Sequence, residues 1–475
     1  MARMNGSERL LSVLFTLFPA VYVLIALNEP FFWDTIQLAS KHAHFFYENR
    51  FQSFLLPEPI DSGHPPVFGM YIAWLWTLFG KSLWVSHLGM LPFALGIGWL
   101  SYQIVRELGV YPQVFGTLLL LCDPVLAAQL TLVSPDVVLA FFFLGAIYSI
   151  WTDRPAGLSL AVLGLAMISM RGMMVAAGLF LYVLVRDHQP DRPGWARIGK
   201  HFLLFLPSGL FALFFLLWHW QARGWIGHHE LSEWAPSFER VDFRGFWRNV
   251  GLLGWRMLDF GRVFIWLAII LLPLVGGWAA RRSSDPGIRK TGSLFLILLL
   301  VSLPSFLLYK GLSGHRYLLP VFLALSLFLL ALLRNAFTEP GPWGLLRVGL
   351  LIGLLSGHLW VYPRSIAQAW DASLAYLPYN SLRKKVIAEL DAEKIPLAKV
   401  GTWFPAIGPL EFKDLNDRQE GFKSADLDTD TLVFYSNVFN DPTDEELKRL
   451  ETWTIVSKWE FLTVETLLYR KPLDP

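Results

Sequence analysis

Six side chains in a very apolar sequence are of types that do chemistry: Asp34 in "FFWDTIQ", Asp61 and His64 in "DSGHPPVF", Arg171 in "SMRGMM", and His315 and Arg316 in "GHRYLLPV". A carboxylate can take a proton from a hydroxyl, and clustered cations can stabilise an anion that departs as the hydroxyl oxygen attacks. None of these groups belongs in hydrocarbon, where every unpartnered polar group is costly. They therefore mark boundaries, and the elements that position them are the apolar segments in between.

Those segments follow from composition. The chain has 475 residues, of which 54% are hydrophobic and 16% charged, too little polar surface to solvate one globule of this size. The sequence predicts a polytopic α-helical membrane protein. Apolar runs of spanning length fall near residues 10–27, 83–103, 111–130, 136–151, 156–169, 172–186, 201–221, 261–280, 292–309, 317–334 and 344–362, about eleven spans. The pair around Arg171 also reads as one long broken helix. The first run lacks a clear small-x-small cleavage site and reads as a retained signal anchor. A net charge of +2 excludes a general nucleic-acid binder, and a single cysteine, Cys122, excludes an intramolecular disulfide.

Orientation follows from the short loops. Alternating from a cytoplasmic N-terminus collects "RELG", "TDRP", "RDHQPDRPGWARIGK", "RRSSDPGIRK" and "RNAFTEPGPWGLLR" on the side of Arg3 and Arg9. Residues 222–260 fall outside yet hold Arg223, Arg240, Arg244, Arg248 and Arg256, so either the topology is wrong there or that loop meets an anionic ligand. The outer face also receives the loop 28–82. There Phe31, Phe32 and Trp33 read as an aromatic belt, and "VFGMYIAWLWTLFG" reads as an interfacial helix. Residues 1–362 thus form the transmembrane domain, and residues 363–475 a small soluble α/β domain. In that domain "SLRKKVIAELDAEK" reads as a helix, "TDTLVFYSNV" and "TIVSKWEFLTVETLLYRK" as strands, and Thr443 to Glu446 as a capping box.

The order of these motifs carries a resemblance. An acid just beyond the first span, "HPP" before an apolar run ending "LFG", then "SPDVVLAFF" and "GHRYLLPV" resemble the GT-C glycosyltransferases of the protein mannosyltransferase and bacterial aminoarabinose transferase type, close to family 39, over about residues 10–335. The resemblance implies transfer of a sugar from a polyprenyl-phosphate donor to a lipid, glycan or protein acceptor on the outer face, with no cofactor and no metal. It makes Asp34 the base, matches His64 to a position where the aminoarabinose enzymes carry lysine, and matches Arg316 to a donor-phosphate contact. The acid stands alone as "WDT" where many relatives have Asp-Glu. The topology adds His315 and Arg171 to the phosphate-holding set, and Asp61 and Tyr317 are assigned to substrate.

Plainer roles compete for the same residues. Asp34 with Gln37 fits a helix-capping box, the prolines fit a rigid stop before a helix, and Arg171 and Arg316 fit span ends whose heads reach the headgroups. Asp136 in "SPD" fits a first-turn charge. A metal finds little support: His42 and His44 are two apart and "GHHE" places its histidines side by side, neither being i, i+4. A transporter or flippase without transferase activity is the alternative class, which calls for inverted repeats and a midplane site. The only N-x-S/T acceptor, Asn5-Gly6-Ser7, lies on the expected cytoplasmic side, which points to a bacterial inner membrane with the C-terminal domain in the periplasm.

Overall fold

The computed structural model describes residues 5–187, 194–230, 232, 235–272, 285–334 and 343–472. Much of the charge expected on the cytoplasmic side, in the connections 188–193, 273–284 and 335–342, lies outside these residues.

Within the described residues each of the eleven apolar runs falls on a helix or a pair of helices, residues 273–280 of the run 261–280 lying outside them. Among the described residues, Gly6–Ile25, Leu83–Glu107, Ile198–Arg223, Pro286–Leu308 and His315–Leu333 are long and apolar enough to cross a bilayer. A sixth span results if Gln113–Leu121 and Pro124–Leu130, bent by 66°, count as one. Pro135–Trp151, Pro155–Ile168, Arg262–Leu271 and Trp343–Leu359 are apolar but shorter. Their brevity has local causes. Ser134 caps one through the Asp136 N–H, and Ser169, in extended conformation, caps Met170–Arg186 through the Gly172 N–H at 3.0 Å. The break at Ser169 resolves the pair around Arg171 into two helices. Gly172 is required there, because a Cβ would sit 1.9 Å from the Leu165 carbonyl oxygen of the other helix.

His315–Leu333 is the central pillar, with nearly all its residues buried. Its entry is a 3₁₀ turn, His315–Leu318, and Pro320 then stands in the first α-turn, where a missing N–H breaks no intrahelical bond. Arg262 is fully buried beside this pillar, its Nη2 giving hydrogen bonds of 2.7 Å to both Asp123 oxygens while its guanidinium lies 3.7 Å from the Phe322 ring centroid. Val67–Phe79, the expected interfacial helix, has 13 residues, shorter than a perpendicular span needs.

The C-terminal part is a mixed-sheet domain. The helix Leu377–Ala392 packs on strands β1 (Gly401–Thr402), β2 (Gly408–Pro409), β3 (Gly421–Ser424), β4 (Leu432–Ser436), β5 (Thr454–Phe461) and β6 (Val464–Arg470) in spatial order β2-β3-β1-β4-β6-β5. β1 pairs in parallel with β3 and β4, and the β2–β3, β4–β6 and β6–β5 pairs are antiparallel. Thr443 and Glu446 form the expected capping box.

This domain sits on the outer loop. The Phe31 N–H donates to the Lys413 carbonyl at 2.9 Å, Asn380 Nδ2 donates to Glu29 Oε2 at 2.7 Å, and Phe32 stacks on Tyr376 with centroids 4.5 Å apart. The expected aromatic belt is therefore corrected for Phe31 and Phe32, which are buried beneath the domain instead of facing lipid.

Candidate functional site

Five of the seven residues singled out in the sequence meet around one cavity of about 350 Å³: Asp34, His64, Arg171, Arg316 and Tyr317. The rest of its wall is largely apolar, with Met174 and Val175 from Met170–Arg186 facing Leu298, Val301 and Phe306 from Pro286–Leu308. One region thus offers charge, and another fits a hydrocarbon chain.

Arg316 is the centre of the charged region. Its Nη2 donates to Asp34 Oδ2 and, at 3.2 Å, to the Tyr317 hydroxyl, while its Nε lies 3.4 Å from Asp371 Oδ2. Asp34 does not cap a helix. Its side chain goes to Arg316, and the turn is held by Thr35, whose hydroxyl accepts from the Phe32 N–H at 3.0 Å and donates to the Phe32 carbonyl at 2.6 Å. Trp33 reaches this turn through a positive φ of 57°, a conformation that side chains other than glycine seldom adopt.

Arg171 pairs with Asp136 and lies 4.2 Å from the Tyr317 ring centroid. A cation in a first helical turn opposes the macrodipole, so Asp136 and the aromatic face are what hold it there. His64 lines the cavity and has a buried Nδ1 with no hydrogen-bond partner among the described residues. Burial, reinforced by the nearby Arg171 charge, pushes its pKa down to about 3, so at neutral pH it is an uncharged donor and not the expected cation.

Two expected residues are elsewhere. His315 is buried behind the cavity, its Nε2 2.8 Å from Asp259 Oδ2 and its ring 4.6 Å from that of Phe260. Successive residues of a 3₁₀ turn point about 120° apart, so Arg316 and Tyr317 reach the cavity where His315 does not. Asp61 also lies off the cavity wall. It accepts from the Gly63 N–H at 2.9 Å and bonds His219 Nε2 at 3.1 Å, with Arg223 Nε at 3.6 Å, because the end of Gly194–Arg223 docks on this loop. His315 as a phosphate contact and Asp61 as a substrate contact are corrected on that geometry.

Sequence reading missed Asp371. It lies in a 3₁₀ turn just after the last span, buried, with its backbone carbonyl accepting from Gln129 Nε2 at 2.8 Å. Burial raises its carboxyl pKa, and the Arg316 charge opposes the rise. Gln368 and Asn440 tie this turn to the mixed-sheet domain, Asn440 Nδ2 donating to the Gln368 carbonyl at 2.7 Å. His42 and His44 are hydrogen-bonded to backbone carbonyls of Ile60 and Ser40, and among the described residues no group of three or more His, Cys, Asp or Glu is arranged to hold a metal.

A polytopic helical bundle whose outer loop borders one half-charged, half-apolar cavity, with a C-terminal mixed-sheet domain packed on that loop, is the class that fold and site define. Among solved structures, that architecture is similar to ArnT from Cupriavidus metallidurans bound to undecaprenyl phosphate, at a TM-score of 0.53 and 14% identity over 96% of this chain and 97% of that one. The apo state of the same protein is similar at a TM-score of 0.50 and 13% identity over the same shares. The chain has the ArnT fold, as the aminoarabinose-transferase resemblance implied. No family model matches the chain, and no curated protein matches it in sequence.

Proposed function

We propose that this protein is a membrane glycosyltransferase that moves a sugar from a polyprenyl-phosphate donor to a hydroxyl of a lipid, glycan or protein acceptor at the outer face of a bacterial inner membrane. The observation that carries the reading is a cavity in which Asp34 and two arginines adjoin an apolar wall between two spans. A polyprenyl chain fits that wall, and its phosphate then lies beside Arg171, Arg316 and His64. The solved ArnT structure bound to undecaprenyl phosphate supports a lipid of this class.

Asp34 takes the proton of the acceptor hydroxyl. The oxygen attacks the anomeric carbon, the bond from that carbon to the phosphate oxygen breaks, and its electron pair leaves with the polyprenyl phosphate. Arg316 and Arg171 hold the developing charge, and neutral His64 donates a hydrogen bond to it. The pairing of Asp34 with Arg316 gives this sequence an order. While the pair is closed, the carboxylate is a poor base; a donor phosphate competes for Arg316 and leaves Asp34 free to accept a proton. Asp371 stays on the guanidinium Nε and keeps the arginine oriented through the exchange.

The test is transfer of a radiolabelled sugar by purified protein from a panel of short-chain polyprenyl-phosphate sugars to total membrane lipid and protein fractions. Transfer that disappears in Asp34→Asn supports the reading. A wild-type protein that transports labelled lipid across vesicles but transfers nothing to any fraction overturns it.

A further inference from the structure

The helix Phe243–Leu258, which enters the arginine-bearing outer loop, has two faces with different chemistry. Its buried face grips the segment that leads to the pillar. Asn249 Nδ2 donates to the Leu307 and Tyr309 carbonyls at 3.1 and 2.9 Å, and Arg256 Nε donates to the Ser313 carbonyl at 3.2 Å. Asp259, just past the helix, holds His315. These bonds fix the rotation of the helix and place it at the end of Pro286–Leu308.

Its other face is largely exposed among the described residues, with Trp255 at its end packed edge-on against Tyr362 at 5.3 Å. Phe243 is 80% exposed and Trp247 57% exposed, and Trp255 and Leu258 are exposed beside them. At 3.6 residues per turn these four fall within about 120° of the circumference. Gly251 and Gly254 lie on the same face and leave it flat. Arg244 and Arg248, both exposed, run along one edge of this stripe, and exposed Arg240 precedes the helix. Aromatic rings beside guanidiniums, at the mouth of a bundle of spans, match the apolar-to-anionic gradient of a lipid headgroup layer.

We infer that Phe243–Leu258 is an interfacial helix that docks on anionic phospholipid, with Phe243, Trp247 and Leu258 entering the acyl boundary and Arg240, Arg244 and Arg248 holding headgroup phosphates. Charge complementarity selects this occupant. A positive cluster on the outer side opposes the usual distribution of lysine and arginine around spans, and anionic headgroups supply what such a cluster needs. The inference concerns the bilayer around the protein and stands whether or not the cavity transfers sugar.

The test places a fluorophore at Trp247→Cys in a Cys122→Ala background of the full chain. The protein is reconstituted in vesicles of phosphatidylcholine with phosphatidylglycerol, and a shallow nitroxide is carried on one lipid or on the other. Quenching by the anionic lipid should exceed quenching by the zwitterionic lipid at equal mole fraction by about fivefold or more in local ratio, the effect of roughly one arginine at an anionic surface. Replacing Arg240, Arg244 and Arg248 together with glutamine should bring that ratio to about one, as should ~0.5 M salt in large part. A label at Leu296→Cys, on the exposed face of a span, should show no preference. Equal quenching by the two lipids in the protein with all three arginines overturns the headgroup contact. Absence of quenching by either lipid overturns the docking itself and means that another protein or water covers the face.

Discussion

Arg316→Ala separates binding from architecture, because under the proposed mechanism the residue serves both. In the folded protein its guanidinium stands between Asp34 and Asp371, and Asp371 is nearly out of contact with solvent. Removing one partner of a buried pair costs about 3–5 kcal/mol. Here the lower end applies, since the Asp34 side chain keeps 14% of its exposure and the raised pKa of Asp371 lets it escape the penalty by taking up a proton, at about 1.4 kcal/mol per unit of pKa. Stability should therefore fall by about 3 kcal/mol. Loss of charge-assisted hydrogen bonds to a phosphate costs a further 1.5 to 3 kcal/mol in donor binding, roughly ten- to a hundredfold in Kd. Arg316→Lys should restore only part of that, as the fork geometry is gone. The decisive variant is Arg316→Ala with Asp371→Asn, which removes the more deeply buried of the two acids that the single variant leaves unpaired. Thermal unfolding should recover most of the lost stability, while calorimetric titration with a short-chain polyprenyl phosphate should still find weak binding. If donor affinity returns together with stability, Arg316 never touched the phosphate and its role is structural. Donor affinity unchanged in the single variant would refute the reasoning in the same way.

Asp34→Asn should reduce transfer at least about a hundredfold while donor binding holds or tightens, since Arg316 loses its competing carboxylate; near-normal transfer would make Asp34 only a counter-ion. Asp61→Asn keeps the acceptor for the Gly63 N–H and loses charge opposite His219 and Arg223, so it should cost about 1–3 kcal/mol of stability and leave most of the transfer rate; an inactive but stable variant would show that Asp61 reaches substrate. For topology, Glu239→Cys and Asp428→Cys, both at exposed positions, should react with an impermeant thiol reagent in intact cells lacking Cys122; labelling only after permeabilisation would reverse the orientation. The outer loop should also be acid-sensitive. Burial holds His42 and His44 at a pKa of about 4 and His64 at about 3, all below the ordinary 6.5. A depressed histidine favours the folded loop fully above pH 6.5 and loses that contribution as the pH falls toward the folded value, so each site should cost roughly 2 kcal/mol at pH 5. Melting temperatures that do not change between pH 7 and pH 5 would mean that these rings take up protons in the folded loop as readily as in the unfolded chain.

What could be read from the sequence was what short windows encode. Apolar runs located the helices, and period-two alternation located β4, β5 and β6. Thr443 with Glu446 announced a cap that is present, yet the same spacing at Asp34 and Gln37 announced one that is not. Both motifs are locally sound; the difference lies in an arginine at position 316, which no window around Asp34 contains. The pairs of Arg171 with Asp136, Arg262 with Asp123 and Arg316 with Asp371 were illegible for that reason, since each depends on which helices become neighbours. His315 was misplaced by a finer effect. Sequence put it and Arg316 at the same height, and one step of a 3₁₀ turn sent them to different sides.

The position of Asp371 bears on how such a protein comes into being. A chain emerges N-terminus first, so Asp34 is delivered early, Arg171 and Asp136 follow, and Arg316 arrives with the pillar. The turn holding Asp371 comes after the last span and gains its tie to Gln368 when the loop bearing Asn440 has folded against it. A nascent bundle already has its greasy groove and Asp34, but its central arginine still lacks one of its two carboxylate partners. On the proposed orientation, completion of the charged centre is thus deferred until the final domain has crossed the membrane.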